Sequence, residues 1–331
     1  PISQRLQTAT IEGLEPDTPY FYEVAVTTED GTALDSGTLT FRTAPTRQRQ
    51  MSLAFAVIGD TETRPHVNDR LAKLVWGERP SFMLNLGDLT DGGKQGRRFE
   101  WTHEYLLALS QLGGRIPIFP VVGNGESDLV WYEHYHALPG AESYYTFEWG
   151  NAQFFMIDSN RPVIPGSEQY EWLERELAAS DAYWKFVAHH HPPYTSDEND
   201  YGNTWETTAL DGDPRIRMAV PLYEKYGVDV CFFGHIHGYE RTWAIDENSV
   251  EKNGVLYIQS GGGGGNIENA APNRRWYMAK YYRGHHYCMV LLDGAVFELR
   301  MYGLDGALRD VVRFEKDAPE TAADVLSRAG E

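Results

Sequence analysis

Five times along this chain a short apolar run stops at a residue able to hold a metal ion, and that recurrence restricts the fold more than any other feature. Residues 52–58 end in Gly59-Asp60, 81–86 in Gly87-Asp88, and 116–122 in Gly123-Asn124-Gly125-Glu126. Residues 184–188 end in His189-His190-His191, and 228–233 in Gly234-His235-Ile236-His237. Short apolar runs closed by turn residues read as buried strands. A single Gly-Asp after a strand is ordinary turn chemistry. Five such endings in order place carboxylate, amide and imidazole groups at the C-terminal ends of successive strands, the edge where α/β sheets collect ligands. In an extended segment residues i and i+2 point the same way, so His235 and His237 leave their strand as a matched pair able to feed two adjacent ions.

Apolar residues recur at helical spacing over 67–76, 98–112, 169–179 and 216–226, whereas 144–147, 255–259, 287–292 and 296–301 read as further strands. Alternation first and strands later suits an α/β (α+β) fold, a two-sheet β-sandwich flanked by helices, over a main domain at 51–316 with a polar tail at 317–331. Residues 1–45 read as all-β, and Gly13 to Val24 resembles the tyrosine-corner strand of a fibronectin type III domain. A whole domain of that type needs about 100 residues. Only its second half is expected here, either because the front strands lie outside the sequence or because the segment borrows partners from the domain that follows. Gly261 to Gly265 is a glycine loop after a strand, expected to be a close backbone approach beside the metal site, since no Gly-Lys-Ser follows it.

A formal net charge of -19 repels nucleic acid and anionic membrane surfaces, and no window approaches the length of a membrane span. Cys231 and Cys288 both fall in strand-like runs and read as buried, unpaired thiols, so cysteine usage leaves the compartment open.

The ordered set Gly-Asp, Gly-Asp-x-x, Gly-Asn-x-Glu, Val-x-x-His and Gly-His-x-His resembles the calcineurin-like metallophosphoesterases, and within them the purple acid phosphatase branch. The stretch Phe154 to Asn160, the Gly166 to Leu173 segment and Tyr239-Glu240-Arg241 extend the likeness, which runs from about Leu53 to Lys316. The resemblance implies a metal-dependent phosphoester hydrolase of small phosphate esters, with two metal ions per chain, iron with zinc or manganese, roughly 4 Å apart. It implies Asp60 and His237 on the first metal, Asp88 as the bridge, and Asn124, His190 and His235 on the second. Hydroxide generated there at near-neutral pH would attack phosphorus in line. A secreted or periplasmic location goes with the resemblance; oligomeric state does not follow from it. The alternative is a metal-binding paralogue in which activity has largely been lost.

Two departures carry the doubt about activity. Purple acid phosphatases have a tyrosine three residues after the bridging aspartate, where this chain has Asp91, and other members have a histidine two residues after the first aspartate, where it has Glu62. Asp91 is expected, ahead of Glu62, to fill the vacant position on the first metal. The second departure is Gly125, where the family has a substrate-binding histidine. His191, freed by the Pro192-Pro193 turn, or His134, folded back over the site, is expected to stand in for it. A Gly125→His change is expected to restore the missing group.

Overall fold

The computed structural model describes residues 6–47, 52–140, 143–198, 201 and 210–316. Two β-sheets pack face to face, as the alternating pattern predicts. One has six strands in the order Leu308–Glu315, Val296–Gly303, His286–Asp293, Leu53–Ile58, Met83–Asn85, Ile118–Pro120. The other has seven, in the order Met278–Tyr282, Tyr239–Thr242, Leu256–Ser260, Val230–Phe233, Trp184–Ala188, Ala152–Met156, Tyr145–Trp149. Side chains alternate between faces, so Phe55 and Val57 enter the layer between the sheets while Ala56 and Ile58 turn outward. Phe55 meets Phe154 and Phe186 of the opposite sheet with ring centroids 5.3 and 5.7 Å apart, which joins the two halves of the sandwich. Helix Pro65–Glu78 covers the outer face of the first sheet through Val67, Leu71 and Val75, and helix Glu168–Ala179 covers the second through Leu173 and Leu177.

Strand direction positions the site. Leu53–Ile58, Met83–Asn85 and Ile118–Pro120 run parallel, as do Ala152–Met156, Trp184–Ala188, Val230–Phe233 and Leu256–Ser260. Parallel neighbours end at one edge, so every motif-bearing loop emerges there.

Two expected helices are broken. Over 98–112 the chain forms Arg98–Glu100, a wider π-type turn at Trp101–Leu106 and Ser110–Gly113, because the buried Asn68 amide takes the Glu104 carbonyl at 3.1 Å. Over 216–226 the chain breaks into Pro214–Arg217 and Val220–Lys225, since Pro221 has no N–H to continue the ladder.

In the N-terminal segment Pro19–Tyr22 pairs with Leu39–Arg42, and Ala25–Thr27 with Ala33–Asp35. Tyr20 Oη accepts the Glu15 N–H at 2.8 Å, and Tyr22 Oη donates to the Gly114 carbonyl of the sandwich at 2.8 Å. Phe21 is 77% exposed. The expected tail at 317–331 lies outside the described residues. Cys231 and Cys288 are buried free thiols, and among the described residues no helix is long and apolar enough to cross a membrane.

Candidate metal centre

Asp60, Asp88 and His235 each adopt a left-handed backbone, with φ of 58°, 47° and 74°. L-residues rarely do so, and the strain is held by the surrounding packing. The Asp60-bearing and His235-bearing loops close against one another, and a Cβ on Gly234 would lie 2.6 Å from Asp60 Oδ2, so only glycine permits the approach. The His235 N–H donates to Asp60 Oδ1 at 3.0 Å, tying the first sheet to the second. The glycine loop after Leu256–Ser260 runs against the same residues, with Gly263 N–H donating to the Gly59 carbonyl at 3.0 Å and Gly265 N–H to the Asp60 carbonyl at 3.2 Å.

Donor atoms gather in two groups. In the first, His190 Nδ1 lies 2.8 Å from the Leu86 carbonyl, which can only accept, so Nδ1 carries a proton. His190 Nε2 then faces Asn124 Oδ1 at 3.0 Å, Asp88 Oδ2 at 3.4 Å and His235 Nδ1 at 3.2 Å. His235 Nδ1 is itself 3.0 Å from Asn124 Oδ1. In the second group His237 Nδ1 donates to the Asn266 carbonyl at 2.7 Å, leaving Nε2 at 3.5 Å from both Asp60 Oδ1 and Glu62 Oε1. Acceptor atoms this close repel unless a cation lies among them. The donor set, carboxylate and amide oxygens with imidazole nitrogens, those of His190 and His237 having their far N–H groups already held by carbonyls, fits divalent metal ions.

The same crowding governs ionisation. Burial opposes charge on His190, but the Asp88 and Asp60 carboxylates outweigh it and hold its pKa up to about 9. Burial likewise opposes charge on His237, and its contact with Asp60 raises it to about 10. Burial works against ionisation of Asp88, yet His190 and the Gly125 N–H keep its carboxyl far below the usual range. Burial, then Asp88, pushes Glu62 up to about 8. Chelator-treated protein is therefore expected to carry protonated His190 and His237. Because their folded pKa values exceed the ordinary value of about 6.5, the stability they add is complete below that pH and lost as pH rises through about 9 to 10. Urea midpoints of chelator-treated protein, followed from neutral to alkaline pH, should fall across that window; a flat profile would show that these pairs contribute nothing.

Around the donors lies a shell of positioning groups. Glu126, fully buried, accepts N–H bonds from Asp88, Leu89 and Gly123 at 3.1, 2.7 and 2.6 Å, clamping two ligand loops together. Asn160 Nδ2 reaches the Val122 and Gly123 carbonyls at 3.2 Å each, and the Glu268 carboxylate accepts the His237 N–H. Glu126 and Asn160 were visible as motif letters without a role, whereas Glu268 has no signal in the sequence.

The structure brings together Asp60, Glu62, Asp88, Asn124, His190, His235 and His237. Asp91 is exposed, with its N–H donating to the Glu104 carboxylate at 2.9 Å; it is Glu62 that stands beside His237. His134 is exposed on its own helix, its Nδ1 bonded to the Val130 carbonyl at 2.7 Å. His191 lies against the centre, its ring centroid 4.7 Å from that of His235. His189 turns to the opposite side, 3.1 Å from Cys231 Sγ, and His136 bonds Tyr105 Oη at 3.0 Å. Gly125 is no empty slot, for a Cβ there would lie 2.5 Å from the Thr90 carbonyl, and the Gly93 N–H donates to the Gly125 carbonyl at 2.6 Å.

The calcineurin-like phosphoesterase family model matches residues 53–239. Probable purple acid phosphatase 20 of Arabidopsis thaliana is 28% identical over 82% of this chain and 64% of its own length. Probable inactive purple acid phosphatase 27 of the same plant is 22% identical over 80% of this chain and 50% of its own. The chain thus spans about half to two thirds of the length of these relatives. Purple acid phosphatase PPD1 from yellow lupin (Lupinus luteus) seeds shares the fold, with a TM-score of 0.81 at 20% identity over 96% of this chain and 62% of that one.

Proposed function

Because the chain belongs to the calcineurin-like phosphoesterase family, we propose that it hydrolyses small phosphate esters at a dinuclear metal centre. In this reading Asp60 and His237 hold the first ion, Asp88 bridges, and Asn124, His190 and His235 hold the second. The observation that carries it is the convergence of donor atoms from the strand ends of both sheets, with lone pairs facing one another across hydrogen-bonding distances. When bound, two such ions supply Lewis-acid polarisation of phosphoryl oxygen and a water acidic enough to ionise near neutrality.

The chain's own groups set the geometry. The Gly125 N–H donates to Asp88 Oδ1 at 2.7 Å and fixes the bridging carboxylate. Ser159 Oγ accepts the N–H groups of His190 and His191 at 3.2 and 3.0 Å, and lies 2.8 Å from His191 Nδ1. Its two lone pairs being taken, the hydroxyl proton points at Nδ1, which places the His191 proton on Nε2. Burial holds the His191 ring neutral, with its pKa lowered to about 2. His191 therefore offers a neutral N–H to a phosphate oxygen or departing oxygen beside His235. A hydrogen bond to a charged group contributes about 1.5–3 kcal/mol, so His191→Ala is expected to lower kcat/KM about 10–100-fold with metal content unchanged. Unaltered kcat/KM would remove His191 from the site.

Gly125 supports the second reading, a metal-binding paralogue with little activity. Turnover of an aryl phosphate and its diester by protein loaded with two metals per chain decides between them: hydrolysis supports the enzyme, and metal binding without it supports the paralogue. Gly125→His is expected to restore nothing, because its Cβ must displace the Thr90 backbone. Overpacking of that kind costs about 1–3 kcal/mol, visible as a lower urea midpoint. A faster and equally stable variant would mean that the Thr90 loop yields easily.

A further inference from the structure

We infer that Glu62 joins Asp60 and His237 as a direct ligand of the first metal, making that position a carboxylate-rich site suited to a hard divalent cation such as Mn²⁺. This rests on the dinuclear reading above. Glu62 Oε1 and Asp60 Oδ1 stand at the same 3.5 Å from His237 Nε2, whose lone pair faces them because Nδ1 is bound to the Asn266 carbonyl. Two carboxylate oxygens flanking one imidazole nitrogen supply part of a coordination sphere, while Asp88, His190 and His235 form the tighter donor group among the described residues.

The turn that delivers Glu62 is built rather than loose. Thr61 is fully buried, its Oγ1 accepting from Asn85 Nδ2 at 3.1 Å and its carbonyl taking the Asn68 amide. Thr63 has φ of 66°, and the Arg64 N–H returns to the Glu62 carbonyl at 2.7 Å. Arg64 itself is committed elsewhere, to the Gly264 carbonyl at 2.8 Å and Asn266 Oδ1 at 2.6 Å. The Glu62 side chain is only 13% exposed and stands within ion-pair distance of His237. Placing a third carboxylate beside Asp60 and Asp88 is costly unless a cation offsets it.

The two metal positions are then chemically unequal. The first has carboxylates from Asp60, Glu62 and Asp88 with one imidazole, a set that suits Mn²⁺. The second has two imidazoles, one amide and the shared carboxylate, a set that suits Zn²⁺.

The test uses the whole chain, stripped by chelation and titrated with Mn²⁺ under equilibrium dialysis and electron paramagnetic resonance. Wild type should bind two ions, Mn²⁺ at the first position and, once Zn²⁺ is added, Zn²⁺ at the second. Glu62→Gln, close to isosteric, should lose the first by more than the ~10–100-fold that removal of a merely orienting neighbour costs, while Asp91→Asn keeps both. Glu62→Asp should recover part of the loss, and unchanged urea midpoints for the metal-free variants would exclude misfolding as the cause. Two ions held at wild-type affinity by Glu62→Gln would overturn the inference and leave the dinuclear reading intact. Fewer than two ions bound by wild type when Mn²⁺ and Zn²⁺ are both supplied would overturn both.

Discussion

Asp88→Ala is expected to empty both metal positions and to abolish measurable turnover. In the proposed dinuclear reading the Asp88 carboxylate is shared between them; its Oδ1 is held by the Gly125 N–H at 2.7 Å and its Oδ2 lies 3.4 Å from His190 Nε2. Its loss removes a ligand from each ion and the charge that offsets their mutual repulsion. The rate should therefore fall by more than the about 10²–10³-fold that removal of one electrostatic stabiliser costs. Asp88→Asn keeps an acceptor for Gly125 and discards the charge, so it separates positioning from electrostatics. Elemental analysis after gel filtration reads the outcome, and two metals retained per chain in Asp88→Ala would show that the bridge lies elsewhere.

The second large effect should come from a residue that touches no metal. Glu126→Ala leaves the N–H groups of Asp88, Leu89 and Gly123 without their acceptor. An unsatisfied buried donor costs about 1–3 kcal/mol, so the loss should reach about 3–6 kcal/mol even with some water entering. Both ligand loops would also drift, and metal affinity should fall with stability. Urea unfolding at saturating and at zero metal separates the two contributions. A midpoint within about 0.5 kcal/mol of wild type, the usual range of surface changes, would show that the three bonds are dispensable.

Strand ends were the most legible part of the sequence, because an apolar run cut off by Gly-Asp or Gly-His records burial and turn chemistry in adjacent letters. The sandwich and the gathering of Asp60, Asp88, Asn124, His190, His235 and His237 at one edge follow from that local signal plus parallel strand order. What depended on distant contacts was opaque. Asp91 and Glu62 are both carboxylates near a ligand, and only the left-handed turn at Asp60 and Thr63 brings Glu62 to His237. Gly125 reads as a deletion until the Thr90 carbonyl is seen to occupy the space. The helical pattern over 98–112 is sound, yet Asn68, thirty-six residues before Glu104, withdraws the carbonyl that a continuous helix needs. His134 has the spacing to fold back, but its own helix holds it outward.

Asp60, Asp88 and Asn124 follow strands of the six-stranded sheet, whereas His190, His235 and His237 follow strands of the seven-stranded one. A metal pair at their junction, as proposed, would be a fastener across the sandwich as well as a reaction centre. Structural Zn²⁺ in small domains contributes about 10–16 kcal/mol of binding free energy. A fraction of that, applied where two layers must part, would slow the escape of the native state far more than it speeds its formation. The durability of the loaded protein would then be a matter of how long it takes to come apart, set by ion release at one rim of the sandwich.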